Sequence, residues 1–506
     1  MKKLKALIAI LILISILSTF VSCNETNKQN TGVTESDTYS QSEHQQENSQ
    51  DAAPSNDNIL IKSQSGKFDV TTNMATFIAW QSLYYNASMY WTYCAYGLIE
   101  DTYGITKSYT VDQYALTVAQ SSLDTELRNS IVDVLESIKL YVAVCDAAYA
   151  EKVELTDEDM TSVTEALNEL KNLSKKQNCI SLEEFIQTLI NNDMKQSDVE
   201  NILEMIALYN KYCTVKQTEF EKAVTLAEIE NFRDQNPEYY YKIDYLSITT
   251  ESEDFAKELS KLTDVESFKT AILNNSSNIL NQEDITTRSI FYTGNAKVGT
   301  YEAWLSELSN KNTLTSARKE GDAKYFTTEP TDEEKEDGKK TTYNVYMVIN
   351  KPMYLDKEAV VNGGYVLFDD EGFAEAANNA LQTLANKTHA ELTNALKALD
   401  SSATVSAAIK ESSVTDTKLK EWFFSDARVA NESAVITNTS GSGAYVAVFV
   451  ESGEAWYSTA KSNYVSEQLQ SWMDGLAAQY TPNEKALNRI GEPSTETNTA
   501  TTTSSK

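Results

Sequence analysis

Asn236-Pro237 separates two kinds of pattern in this chain. From Phe68 onward the apolar residues recur at helical spacing, as in Val199, Ile202, Leu203, Ile206 and Leu208. Past the proline, Tyr241, Ile243 and Tyr245 alternate with Lys242, Asp244 and Leu246, the period of a strand. A residue before proline is pushed out of the helical region of backbone space, so the helix must end there. A helical region followed by strand-and-helix units is expected, which places the chain in the α+β multidomain class.

Helix starts are marked by a hydroxyl three residues before an acid: Ser181 with Glu184, Ser197 with Glu200, Thr225 with Glu228, and more weakly Thr156 with Asp159. The hydroxyl accepts from a free backbone N–H while the acid reaches back to the cap residue. Beyond Pro237 the order is strand, helix (opened by Thr263 with Glu266), a long polar loop, then the alternating run Tyr343, Val345, Met347 and Ile349. The same order then recurs. Tyr365 to Phe368 reads as a strand, 373–399 as Ala-rich helix, and Tyr445 to Val450 as a closing strand. Trp304 followed by Arg318 in the first stretch matches Trp422 followed by Arg428 in the second. We read this as one α+β unit present twice.

A last helix spans about 454–480, with Tyr457, Ala460, Tyr464, Val465, Leu469, Trp472, Leu476 and Tyr480 on a wide apolar face. Such a stripe must be covered, and the first helical region is the natural partner.

Lys2, Lys3 and Lys5 precede an apolar run from Ala6 to Val21 that ends at Ser22-Cys23. This is the order of an export signal, with Cys23 as the lipidation site of a bacterial, membrane-anchored extracytoplasmic protein. Phe20 departs from the Leu or Val usual at that place, which leaves an uncleaved N-terminal helix as the alternative. Residues 23–66 are nearly devoid of apolar side chains and read as a tether, and 483–506 as a Thr/Ser-rich tail. A net charge of −31 excludes nucleic acid and anionic lipid surfaces as binding partners and favours basic, unfolded chains. Cys94, Cys145, Cys179 and Cys213 form no CxxC pair and read as small apolar helix residues, with one or two disulfides as the alternative. With two histidines in all, neither beside a cysteine, no metal site is expected, nor any cofactor.

The exit from the helical region is Thr225-Leu-Ala-Glu228-Ile229-Glu230-Asn-Phe232, then Asn236-Pro237, then the strand through Asp244-Tyr245-Leu246-Ser247-Ile248. With the export signal and the returning last helix, it resembles the PrsA-type foldase lipoproteins and SurA-like chaperones. In those families such an exit leads into a parvulin-type proline isomerase domain. The resemblance implies a helical chaperone domain over 67–236 completed by 454–482, with parvulin-like domains at 239–352 and 363–452. The family's paired histidines are missing. Tyr245 and Tyr365 stand at the first-strand position, and Asn344 and Val446 are read as standing at the last-strand position. His44 falls in the tether and His389 in a helix of the second unit, so no catalytic residue is assigned.

The implied function is an anchored folding factor, or holdase, for unfolded exported polypeptides, with chemically silent parvulin-like units. An active isomerase and a solute-binding or adhesive lipoprotein are the alternatives. Within the aromatic stretch Tyr84, Tyr85, Tyr90, Trp91, Tyr93 and Tyr96, the face with Tyr84, Trp91 and Cys94 reads as core. Tyr85 and Tyr93 are the candidate client contacts. The acidic run Glu329–Asp337 reads as a solvated loop, and Asp369-Asp370-Glu371-Gly372 lacks the later ligands of a calcium loop.

Overall fold

Thr71 does two jobs near the start of the described residues. It ends strand β2 (Val70–Thr71), and its side chain accepts from Met74 N to cap helix α1 (Thr72–Ala95). The computed structural model describes residues 58–157, 159–281, 286–311, 314–349, 353–382, 389–400 and 402–490. They show a multidomain α+β fold that divides into two units. One is built from the chain up to Gln217 together with Gln468 onward, the other from Thr218–Glu467.

In the first unit, β1 (Ile59–Ile61) pairs antiparallel with β2, with Leu60 and Ile61 fully buried. The expected tether to residue 66 is therefore too long: the apolar triplet Ile59-Leu60-Ile61 is enough to make a strand. A short α2 (Ile105–Ser108) leads into α3 (Val111–Asp133), opened by a capping box between Thr110 and Gln113. Helix α4 (Leu135–Ala150) is apolar nearly all round and buries Ile138, Tyr141, Val142, Val144 and Cys145, as a central helix must.

Around it come α5 (Asp159–Lys176), α6 (Leu182–Leu189) and α7 (Gln196–Ala223). Ser181 caps α6 as read from the sequence. Helix α7 opens earlier than Ser197 would allow, with Asp198 accepting from Lys195 N at 2.9 Å. Asp198 is the third residue of the helix and reaches back to the N–H of Lys195, the residue before its first turn, which leaves Ser197 inside the helix. Among the described residues four cysteines are free, three of them buried in this unit's helices.

The second unit starts in the last turn of α7 and takes in α8 (Leu226–Gln235), whose Thr225–Glu228 capping box is present. The expected helical domain to residue 236 thus gives α8 to the other unit. Module one then runs β3 (Tyr241–Thr250), α9 (Glu253–Leu259), α10 (Val265–Asn274), β4 (Arg288–Phe291), α11 (Tyr301–Leu305), the hairpin β5 (Leu308–Asn310) and β6 (Thr315–Ser316), β7 (Ala323–Thr328), α12 (Asp332–Glu336) and β8 (Thr342–Val348). Asp264, one residue beyond the expected Thr263, caps α10. The acidic run folds its centre into the exposed α12, since Thr331 and Glu334 form a capping box.

After β9 (Tyr354–Leu355), module two runs β10 (Ala359–Phe368), α13 (Glu371–Gln382), α14 (His389–Leu399), β11 (Thr404–Lys410), α15 (Thr417–Phe423), β12 (Glu432–Thr437) and β13 (Ala444–Glu454). Helix α16 (Ala455–Ala477) and α17 (Glu484–Asn488) close the described chain. Helix α17 lies in the expected tail. Asn483 both caps it and donates to Leu60 O at 2.7 Å through its backbone N–H.

The last helix divides its apolar face. Its first half, with Trp456, Ala460 and Tyr464, packs on Ile229, Phe232 and Tyr240 within the second unit. Past Gln468 it belongs to the first unit, where Trp472 meets Tyr212 edge-on at 5.5 Å and Tyr209 donates to the Met473 thioether.

One buried carboxylate ties that unit's chain ends together. Asp146 on α4 is 7% exposed and accepts from Ser63 Oγ (2.7 Å), Gln64 N (2.7 Å), Ser65 N (3.2 Å), the Ser65 hydroxyl and Tyr480 OH (2.8 Å). Burial alone would raise this carboxyl's pKa, but the bonds from Ser65, Ser63, Tyr480 and Gln64 win and hold it below the ordinary range. Asp146 therefore adds stability above the unfolded-state value of about 3.9, and that stability fades as pH falls through the lower folded value. Asp146→Asn should lower stability by about 2–3 kcal/mol at pH 7. It should also flatten the loss of stability below about pH 4. Urea unfolding of the helical unit followed at pH 7 and in mild acid checks both.

Candidate functional site

The two modules share one topology. The strand order is β4-β3-β8-β7 in the first and β11-β10-β13-β12 in the second, all antiparallel, with β9 added beside β3. In each, the first strand pairs with the last at the centre. One sheet face is covered by the helix pair that follows the first strand. Leu246, Ile248, Val345 and Met347 pack on Phe255, Leu259, Phe268 and Ile272, while Val366, Val446 and Val448 pack on Ala374, Leu381, Leu392 and Leu396. The other face carries the short tryptophan helix, α11 or α15. The duplication read from the sequence is thus visible in strand order, pairing and layering.

On the tryptophan side of module one, Tyr245 is 5% exposed, with Tyr346 5.7 Å and Tyr301 6.0 Å away. Tyr301 and Tyr346 lie parallel at 4.3 Å, and Phe326 and Trp304 extend the cluster. In module two, Tyr365 meets Phe423 at 6.0 Å and Tyr445 at 5.9 Å. Burial, helped by Tyr245, pushes the Tyr346 hydroxyl up to about 12, and burial raises Tyr301 as well. The Tyr346 and Tyr301 hydroxyls therefore stay neutral at physiological pH and can donate or accept hydrogen bonds.

Register decides which positions correspond. Tyr245 lies opposite Val348 and Ser247 opposite Tyr346; Tyr365 lies opposite Ala447 and Leu367 opposite Tyr445. Tyr245 with Tyr346 therefore occupies the same register positions as Tyr365 with Tyr445. Asn344 and Val446 are not equivalent. Val446 pairs with Val366 as Met347 pairs with Leu246, so its counterpart is Met347 in the helix-side core. Asn344 lies opposite Thr249, accepting from its hydroxyl at 2.8 Å and donating to Thr328 Oγ1 at 3.0 Å. Asn344 and Met347 are three residues apart, an odd number, so their side chains lie on opposite faces of the sheet. His389 is the first residue of α14; Cys23 and His44 lie outside the described residues.

Each module also repeats a tryptophan–arginine–glutamate group. Arg318 lies over Trp304 at 5.4 Å and pairs with Glu307, and Arg428 lies over Trp422 at 5.0 Å and pairs with Glu432 at 2.6 Å. Stacking holds the planar guanidinium while the glutamate neutralises it, so the group cements the short helix to the sheet edge.

A different surface is left open in the helical unit. Helix α1 ends in a Schellman turn: Gly97 N bonds Cys94 O at 3.1 Å and Leu98 N bonds Tyr93 O at 2.9 Å, with Gly97 at φ +67°. Asp101 then fixes the loop by accepting from Ile105 N (2.7 Å), Thr106 N (3.1 Å) and Thr106 Oγ1 (2.7 Å). The Thr106 hydrogen bond is the main reason its carboxyl lies below the ordinary range. This braced turn carries Tyr96 (66% exposed), Leu98 (69%) and Tyr103 (83%) into solvent, with Tyr93, Ile99 and Tyr109 also exposed.

Tyr84 is buried as expected and donates to Asp112 at 3.0 Å, while Trp91 is half-buried and donates to Tyr109 O at 3.1 Å. Of the two candidate client contacts, Tyr93 is exposed and Tyr85 only half so. Sequence reasoning missed Leu98, Ile99, Tyr103 and Tyr109. The signal available was the pair Gly97 and Gly104 bracketing a short apolar segment, a loop held out from the fold.

No protein-family profile matches the chain, and no curated protein matches it in sequence. Among solved structures it is similar to the foldase protein PrsA from Streptococcus pneumoniae, at 14% identity over 46% of this chain and 75% of that one, with a TM-score of 0.19. A superposition of that quality carries no argument about fold or function. Among the described residues, no helix is long and apolar enough to cross a membrane, and no cluster of three or more His, Cys, Asp or Glu could hold a metal ion.

Each tryptophan helix packs within its own module, so Trp304→Ala, at a buried site, should cost about 3–5 kcal/mol locally, and Trp422→Ala, at a half-buried one, about 1–3 kcal/mol. Amide exchange on the whole chain should show lost protection in the strands of the altered module alone. Loss in both would refute their independence.

Proposed function

We propose that this protein is a folding factor of the holdase kind, which shields unfolded exported polypeptides on the outer side of a bacterial membrane. The observation that supports it is the braced aromatic turn at Tyr96–Tyr103. Large exposed apolar side chains are usually scattered; here they are gathered on a loop whose backbone is fixed by Gly97 and Asp101. A surface of tyrosine and aliphatic side chains offers contact area at roughly 25 cal/mol per Å² without demanding one partner sequence. That is the recognition an unfolded chain calls for.

The lipid anchor at Cys23 and the extracytoplasmic location belong to this proposal on the strength of the N-terminal signal. The duplicated modules enter it as supporting bodies. Their tryptophan-side faces are occupied by the protein's own aromatic rings, and tyrosines stand where the resembled family has its first-strand histidine. No catalytic role is assigned to them.

The test is aggregation of a chemically unfolded client in the presence of the chain from residue 24 onward. Stoichiometric protein should suppress aggregation. Replacing Tyr96, Leu98 and Tyr103 together by serine should abolish most of that effect while changing stability by no more than about 0.5 kcal/mol per site. An unaltered aggregation trace with the native protein would exclude the reading, and stabilisation by a small solute instead would favour a solute-binding role.

A further inference from the structure

We propose that the consecutive residues Asp356, Lys357 and Glu358 form an electrostatic buckle that sets the angle between the two modules of the second unit. Between them the three pair with both modules and with the end of β13. Asp356 Oδ2 lies 2.6 Å from Lys242 Nζ on β3 of module one and 3.3 Å from Lys410 Nζ on β11 of module two. Lys357 pairs with Glu454 at the end of β13 (3.7 Å), and Glu358 pairs with Lys410 (2.8 Å).

The backbone of the same segment is held at both ends. Asp356 N donates to Tyr240 O at 3.1 Å, and its carbonyl accepts from Trp456 N at 2.9 Å. Glu358 O accepts from Ala455 N at 2.9 Å. The connector thus touches the base of β3, the edge strand β11 and the first turn of α16 within three residues.

Burial makes the central charge decisive. The side chains of Asp356 and Lys242 are 9% and 16% exposed, so the pair is largely desolvated. Removing one member of a desolvated pair leaves the other uncompensated, which the structure relieves most readily by moving the connector. Two lysines from two modules meet on one carboxylate oxygen, so that oxygen links bodies that otherwise have separate cores. The inference rests on this geometry and is independent of the folding-factor reading.

The test measures the distance distribution between spin labels on the full chain, attached at Lys261→Cys in module one and Lys418→Cys in module two. Cys179→Ser removes the half-exposed native thiol. Asp356→Asn, and separately Lys410→Met, should shift and broaden the distribution to longer distances. Lys269→Met, which breaks only a surface pair within module one, should leave it unchanged. Should Asp356→Asn fail to fold, Lys410→Met decides alone, because that lysine is 35% exposed and tolerates truncation. A native distribution in both folded variants, or in Lys410→Met alone where it is the only folded one, overturns the proposal.

Discussion

In each module the first strand pairs with the last, and the architecture of the second unit follows from that pairing. β3 lies against β8 and β10 against β13, so the chain must leave the sheet centre, build the helix pair, the tryptophan helix and both edge strands, and return. Closing such a long excursion costs little more entropy than closing a short one, because the cost grows only with the logarithm of its length. What holds the ends together is the two-faced burial of the central strands. Leu246 and Ile248 face one core, and Ile243 and Tyr245 the other. Every position in the centre is therefore committed to a face, and slippage by one residue would expose both sets at once.

The same constraint explains how two modules diverged in sequence and kept one plan. The tryptophan–arginine–glutamate group and the tyrosine pair persist because they fill the side of the sheet that the long helices leave uncovered. Where the modules differ, the change lies at the margins. Module two runs its first strand through Gly363 and Gly364, and a Cβ on Gly363 would come within 2.3 Å of Val448 O. Module one has no such close approach and instead carries the small hairpin β5–β6.

Much of this was legible in the chain. Ser181, Thr225 and Thr156 open helices as read, because capping is settled within four residues. The alternating strands and the repeat of Trp and Arg positions were legible for a similar reason: local period and composition carry them. The misreadings share a cause. The helix expected from Ser197 begins at Gln196, Thr263 lost its cap role to Asp264, and Ile59–Ile61 became a strand because Val70 and Thr71 were available to pair with it. The equivalence of Asn344 and Val446 failed because no local pattern states which residue of a distant strand lies opposite.

By itself, then, the sequence determined the class of the fold, the helix starts at Ser181, Thr225 and Thr156, and the order of the two modules. These depend on neighbours three or four residues away. Tertiary structure decided the rest: that Asp146 gathers both ends of the helical unit, that Asp356 meets two lysines, and that Tyr96, Leu98 and Tyr103 stay uncovered. Burial and charge pairing are properties of residues far apart in the chain. They take a value only once folding has brought those residues together or left one of them with nothing opposite.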